Sequence, residues 1–367
     1  MVLLGLGTRT RLLTTSPLFS ARDLVGRPRW IAKVPSLSIS SSTSTTSTTA
    51  LSTCSALRRI PTLNNRTMST TTTTASAVMT AYVTEQRGSL YGSDYLLYIK
   101  KAEDNVPVSP MHDIPLYHDE GQKIFNMVVE VPRWTNAKME ITLKEKLNPI
   151  KQDIKKGKLR YVANCFPHKG YIWNYGALPQ TWEDPDHVDE ATKCKGDGDP
   201  IDCCEIGQKV HKSGEVIQVK VLGTVALIDE GETDWKLLVI DITDPLAANL
   251  NDIEDIEKHM PGFLSATVEW FKIYKMPDGK PPNEFAFDAK PKNKDFALKI
   301  IDECNGQWKK LMARESAPED LDRTCTQFDG SSKIGADSAK AVVEGAAAMA
   351  AAVPLESTVD KWHYVKL

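Results

Sequence analysis

No apolar run in this 367-residue chain is long enough to cross a membrane. No Gly-x-x-x-x-Gly-Lys-Ser/Thr stretch occurs either, which excludes a nucleotide hydrolase of the P-loop class. The seven cysteines are odd in number and form no C-x-x-C pair, so neither a zinc site nor a disulfide framework is expected. Such cysteine usage fits a reducing compartment. No internal repeat is present. Acidic residues are almost missing from the start of the chain: residues 1–84 hold eight Arg, one Lys and one Asp, a net of about +8. The whole chain carries a formal −3, so the remainder carries about −11. A globular part that acidic is a poor general partner for nucleic acid, whose phosphates require a basic surface.

What the first residues do contain is Arg, Ser and Thr, with tracts such as Ser40 to Thr43 and Thr70 to Thr74. That is the composition of a mitochondrial transit peptide. Met68 and Met79 are internal starts that would yield a cytoplasmic form instead. The expected organisation is a transit-like or unstructured extension over 1–78, a globular domain over 79–312, and a tail over 313–367 that is partly disordered with a docked end. At 41% hydrophobic and 25% charged, the chain supports a real core.

The chemistry is concentrated in short runs. Gly196-Asp197-Gly198-Asp199-Pro200-Ile201-Asp202 places three carboxylates within six residues, with glycines for a tight turn and a proline fixing the exit. Carboxylates that close raise one another's pKa unless a cation sits among them. Hard oxygens at this density favour Mg²⁺ or Mn²⁺. The run also reads as a solvated turn, since Asp and Gly are ordinary turn residues. It lacks the spacing of an EF-hand loop, having Ile201 and Asp202 where that loop wants Asp or Asn and then Gly. A second acidic cluster, Asp229 to Asp234, lies between strand-like runs over 216–227 and 236–242 and reads as a hairpin loop with four carboxylates. Two such loops at the ends of neighbouring strands would converge on one end of a sheet or barrel.

Basic and aromatic residues recur around them. Lys138 and Glu140 are two apart and share a strand face. Lys158 to Arg160, Gly170 to Gly176 and Trp270 to Lys275 follow. Singly, such lysines are solvated and such aromatics are core. Cys203 and Cys204 follow the acidic loop, and on a strand they would face opposite ways, with Cys204 on the side of Asp202. Inert packing is the ordinary fate of such thiols, with oxidation disturbing Asp202 as the alternative.

Taken together, the Asp197 to Asp202 signature, the Gly231 to Lys236 loop, the Glu130 to Ile141 stretch and the Asn174-Tyr175-Gly176 turn resemble the soluble family I inorganic pyrophosphatases of the eukaryotic (fungal and animal) type. The likeness runs from about Met79 to about Met312. It implies an α+β, mainly β fold: a twisted OB-like β-barrel flanked by helices, with N- and C-terminal extensions. It also implies Mg²⁺-dependent hydrolysis of pyrophosphate to two phosphates, with three to four ions per site and Mn²⁺ or Zn²⁺ as substitutes. By the same resemblance Asp197, Asp202 and Asp234 match the principal metal ligands, Asp202 being shared between two ions. Asp229 and Glu140 match carboxylates holding further Mg²⁺, and Glu130 matches another carboxylate of the site. Asp199 matches the general base. Lys138, Arg160, Tyr175, Lys236, Tyr274 and Lys275 match residues that grip the two phosphates. Lys138 and Arg160 count with Asp199 and Tyr171 as catalytic, Tyr171 in an unspecified role. The resemblance also implies a homodimer, for whose interface Trp134 and Trp362 are candidates; the acidic charge and the lack of a long apolar run speak against nucleic acid and membrane as partners. Hydrolysis of longer polyphosphates or nucleoside triphosphates, and an OB-like binding module, are the competing readings.

Helices are expected from near Asp252 to Tyr274, with a pause at Pro261-Gly262, and from Lys294 to Met312, where Ala297, Ile300, Ile301, Cys304, Trp308 and Leu311 fall on one face. The alanine run Ala346 to Ala352 reads as a short helix from propensity alone.

Overall fold

Five strands rich in Val, Ile and Leu close on themselves. In the computed structural model, which describes residues 81–316 and 318–367, the strand Ile124–Val131 pairs on one side with Asn174–Ala177 and on the other with Val216–Asp229. Asn174–Ala177 pairs with Asp202–Glu205, which lies parallel to Glu232–Asp241. Glu232–Asp241 then returns antiparallel to Val216–Asp229 and completes the ring. This is the small OB-like barrel, closed so that its core strands leave no free edge. A second sheet, in the order Tyr82–Arg87, Leu96–Lys101, Ile150–Gln152, Met139–Ile141, leads into it. The extension over 1–78 lies outside the described residues, apart from which no described helix is long and apolar enough to cross a membrane.

The barrel strands show little polar alternation because both of their faces are covered. Met127, Val129, Leu237 and Val239 enter one apolar cluster together with Ala297, Ile300, Ile301 and Cys304 of the helix Lys294–Ala313. Their neighbours Val128, Leu238 and Ile240 enter another, with Trp270 and Phe271 of the helix Phe263–Ile273. Cys203 and Cys204 part in the same way, one to each cluster, and both are fully buried. The expected helical face is the buried one: Ala297, Ile300, Ile301, Cys304, Trp308 and Leu311 are the buried residues of that helix. Ahead of it, the helix Ile253–His259 starts on a capping box formed by Asp252 and Asp255. A break at Pro261-Gly262 precedes Phe263–Ile273.

Two expectations change. The hairpin between the long strands turns on Glu230-Gly231 alone, both with positive φ (54° and 97°), so Glu232 to Asp234 are strand, not loop. A two-residue turn with both φ positive matches the twist of the strands it joins, and pairing therefore reaches Asp229↔Glu232. The alanine run is not helical. The helix lies just before it, at Ala336–Gly345, held by Ala339 and Val343 against Tyr98 and Leu147. Beyond Gly345 the chain trades backbone hydrogen bonds with another segment: Gly88 N donates to Ala347 O and Ala350 N to Gly88 O. Tertiary pairing outweighs alanine's small intrinsic preference. The end of the chain adds Trp362–His363 as a parallel partner to Asn164–Cys165.

Candidate active site

The acidic loop and the hairpin do converge. They line one cavity of about 220 Å³ at an end of the barrel, with Asp197, Asp199 and Asp202 from the loop and Asp229 and Asp234 from the hairpin. The same cavity is also lined by Glu130, Lys138, Glu140, Arg160, Tyr171, Tyr175, Lys236 and Tyr274. Lys275 does not line it. Its buried ammonium stands behind the rim, paired with Asp229 and with Glu230 at 3.3 Å. The structure thus brings together every residue expected at the site, Lys275 at one remove.

Local structure aims each side chain. Gly198 has φ +89°, which lets the loop reverse while the Asp199 N–H donates to Asp197 Oδ1 at 2.9 Å. Asp202 opens its strand directly beside Lys236 of the parallel neighbour. Asp234 and Lys236 are two apart on one strand and so share a face. The Lys236 ammonium pairs with both Asp202 and Asp234 and donates to Tyr175 Oη at 2.9 Å. Tyr175 in turn donates to Asp202. Across the cavity Lys138 meets Glu140 at 2.6 Å, and Arg160 meets Asp153 at 2.9 Å. Glu130 accepts from the Ile141 N–H at 2.6 Å.

Burial decides the electrostatics, and neighbouring charge comes second. Burial pushes the Asp199 carboxyl up to about 7, with Lys138 pulling down and Glu140 and Asp202 adding to the rise. Asp234 is pushed up to about 6 by burial, against the pull of Lys236. Asp197 and Glu130 are held well above the usual carboxylate range, by burial and then by the Asp199 and Asp202 charges respectively. Burial works against the Lys236 ammonium, yet Asp202 and Asp234 keep its pKa well above normal. Burial likewise keeps Tyr171, Tyr175 and Tyr274 protonated. Crowded, poorly solvated carboxylates of this kind could hold a metal cation, and the group Glu183, Asp197 and Asp234 offers three such ligands.

Some of the wall was not foreseen. Glu232, Trp270 and Phe271 line the cavity, and Asp153 anchors Arg160 and lies 3.8 Å from Lys138. Glu183, from the turn-like run Trp182 to Pro185, is buried and offers an oxygen that lies with one each of Asp197 and Asp234 within 4.8 Å of one another. Trp270 and Phe271 stood in a basic-aromatic run already noted, whereas nothing in the sequence around Glu183 separates it from an ordinary turn residue.

Comparison with known proteins agrees with this arrangement. The family profile described as inorganic pyrophosphatase matches residues 127–309. The chain is 56% identical over 295 residues to an inorganic pyrophosphatase of Drosophila melanogaster, covering 80% of this chain and 87% of that one. It is 57% identical over 286 residues to the Kluyveromyces lactis enzyme of the same name, covering 78% and 98%. The solved inorganic pyrophosphatase of Schistosoma japonicum superposes with a TM-score of 0.72 at 48% identity, covering 77% of this chain and all of that one. With the barrel, the cavity and these relatives in agreement, the chain belongs to the inorganic pyrophosphatase family, metal-dependent hydrolases that act as inorganic diphosphatases.

Proposed function

We propose that this protein hydrolyses inorganic pyrophosphate to two phosphates with Mg²⁺, by direct attack of water and without a covalent intermediate, removing the pyrophosphate that biosynthetic reactions release. One observation carries the reading: five carboxylates (Asp197, Asp199, Asp202, Asp229, Asp234) and the cationic and phenolic groups of Lys138, Arg160, Tyr175, Lys236 and Tyr274 line one small cavity together. Asp197, Asp202 and Asp234, with Asp229, Glu140 and Glu130 around them, would hold the cations. Divalent ions held there would lower the pKa of water and neutralise phosphate charge. Asp199, with its raised pKa, takes the proton of the attacking water. Arg160, already oriented by Asp153, suits a two-pronged grip on phosphate oxygens, and Lys138 and Lys236 act as point charges, with Lys275, held by Asp229 and Glu230, at one remove. Tyr175 and Tyr274 remain protonated, and each would turn its single O–H from its carboxylate partner, Asp202 or Asp229, to a phosphate oxygen when substrate binds. Tyr171 packs against Tyr175 with ring centroids 5.1 Å apart and holds that phenol in place.

The test is phosphate release from pyrophosphate by the purified chain, titrated with Mg²⁺. Fast release that requires Mg²⁺ supports the reading. A folded protein that releases none with Mg²⁺ or Mn²⁺ overturns it in favour of a binding module. Equal or faster release from tripolyphosphate would shift the substrate class.

The unit that performs this chemistry is proposed to be 79–312, with 313–367 as a tail. The chain is proposed to act as a homodimer through an exposed aromatic surface. Trp134 and Trp362 are 54% and 39% exposed, and Trp362 packs edge-on against the exposed Phe166. Translation from Met1 is proposed to direct the protein to the mitochondrion, and translation from Met68 or Met79 to leave it in the cytoplasm. Fractionation of cells expressing each form tests this.

A further inference from the structure

Glu183 is among the most deeply buried carboxylates beside the cavity, at 3% exposure. Its Oε1 accepts from the Trp235 N–H at 3.2 Å. Its Oε2 is buried and has no hydrogen-bond partner, and no Lys, Arg or His pairs with it among the described residues. A buried carboxylate oxygen without a partner is costly. Protonation does not remove the cost, because a carboxyl O–H would itself need an acceptor. A cation would satisfy it.

The main chain shows what Glu183 is mounted on. Its N–H donates to Asp199 O and its carbonyl accepts from Gly198 N–H, both at 2.9 Å. Any Cβ on Gly196 would strike the Glu183 carbonyl, so the two segments touch only because residue 196 is glycine. The flanking residues are fixed as well: Trp182 Nε1 donates to Gly198 O at 2.8 Å, and Asp184 N donates to Gln307 Oε1 of the helix Lys294–Ala313 at 2.8 Å. Glu183 is therefore laced to the acidic loop by its backbone while its side chain is tied to the residue after Asp234. Oxygens of Glu183, Asp197 and Asp234 lie within 4.8 Å of one another, near enough to share one ion.

We propose that Glu183 is a further carboxylate of the metal position shared with Asp197 and Asp234, holding a hard divalent cation directly or through one water. This rests on the proposed metal-dependent function, and the test separates the two. Mn²⁺ binding is measured by calorimetry and electron paramagnetic resonance, without substrate, on the full chain and on Glu183→Gln. Gln keeps the acceptor for Trp235 N–H and removes the charge. The expected result is a loss of about tenfold or more in the tightest Mn²⁺ affinity, the scale seen for groups that support a metal site. The melting temperature of the metal-free protein should stay within about 3 °C, well under the shift from losing a core contact. Unchanged Mn²⁺ affinity in the variant would overturn the proposal alone. Failure of the unaltered chain to bind Mn²⁺ would overturn the metal-dependent reading itself. Should the variant not fold, an anomalous-scattering map of Mn²⁺-loaded crystals of the unaltered chain decides. A peak within direct or one-water reach of Glu183 supports the proposal, and a peak beyond that reach refutes it.

Discussion

Asp199 differs from the other loop carboxylates in what surrounds it. Lys138 faces it, and burial brings its carboxyl to about 7, near the working range of a proton acceptor. Asp199→Asn keeps the shape, removes the proton site and leaves Asp197, Asp202 and Asp234 in place. Turnover should fall by about 10²–10⁴-fold, the usual contribution of a positioned base, while Mg²⁺ affinity measured by calorimetry changes little. Full turnover in that variant would remove Asp199 from the role. Cys203 and Cys204 carry the opposite expectation. Burial pushes both thiols well above their ordinary pKa, and neither is exposed. A buried thiol with so little thiolate is inert. Brief mild peroxide should leave activity and both masses unchanged. Rapid loss of activity with a mass gain on either residue would make the pair a redox switch beside Asp202.

At the scale of elements, the acidic loop and the hairpin form one titrating unit. Cations bind their ionised carboxylates, so protons compete. The folded pKa values of Asp199 and Asp234 are raised, to about 7 and about 6. For a raised group the stabilising contribution is complete below the unfolded value, near 4, and is lost as pH rises through the folded value. The metal-free protein is therefore electrostatically strained at about pH 8, and a bound cation relieves that strain. The rise in melting temperature caused by Mg²⁺ should be larger at about pH 8 than at about pH 6. His112, which burial pushes down to about 4, titrates with or without metal and cancels in the comparison. An equal rise at both pH values would show that these carboxylates are not what Mg²⁺ meets.

For the whole molecule, the aromatic surface around Phe166, Trp362 and Tyr364 is the feature that a monomer leaves unexplained. Phe166 and Tyr364 are 59% and 80% exposed, with ring centroids 5.8 Å apart. Trp134, over which the buried Arg133 guanidinium lies 5.7 Å from the ring, is 54% exposed, and exposed tryptophans are the kind of residue that anchors protein interfaces. Light scattering at micromolar concentration should give about twice the 40.7 kDa of the full chain, and Trp134→Ala should shift the population toward half that mass. A monomeric mass for the unaltered chain would end the dimer reading.

Much of the site was legible in the sequence because its chemistry is local. Asp197, Asp199 and Asp202 are near neighbours on a turn, Asp229 and Asp234 flank another, and Lys138 stands two residues before Glu140 at the start of the strand Met139–Ile141, so short-range geometry already groups them. The amphipathic face of Lys294–Ala313 was legible for the same reason, as a periodic pattern. What depends on long-range pairing was not. Propensity proposed a helix over Ala346 to Ala352, where contacts with Gly88 hold an extended chain instead. The hairpin turn is shorter than the acidic run implies, because only the ladder between Val216–Asp229 and Glu232–Asp241 shows how far pairing reaches. Glu183 lies 14 residues before Asp197 and 51 before Asp234. Ring closure of the barrel and the lacing of two loops bring its oxygen to theirs, and that is a property of the folded chain, which no local pattern encodes.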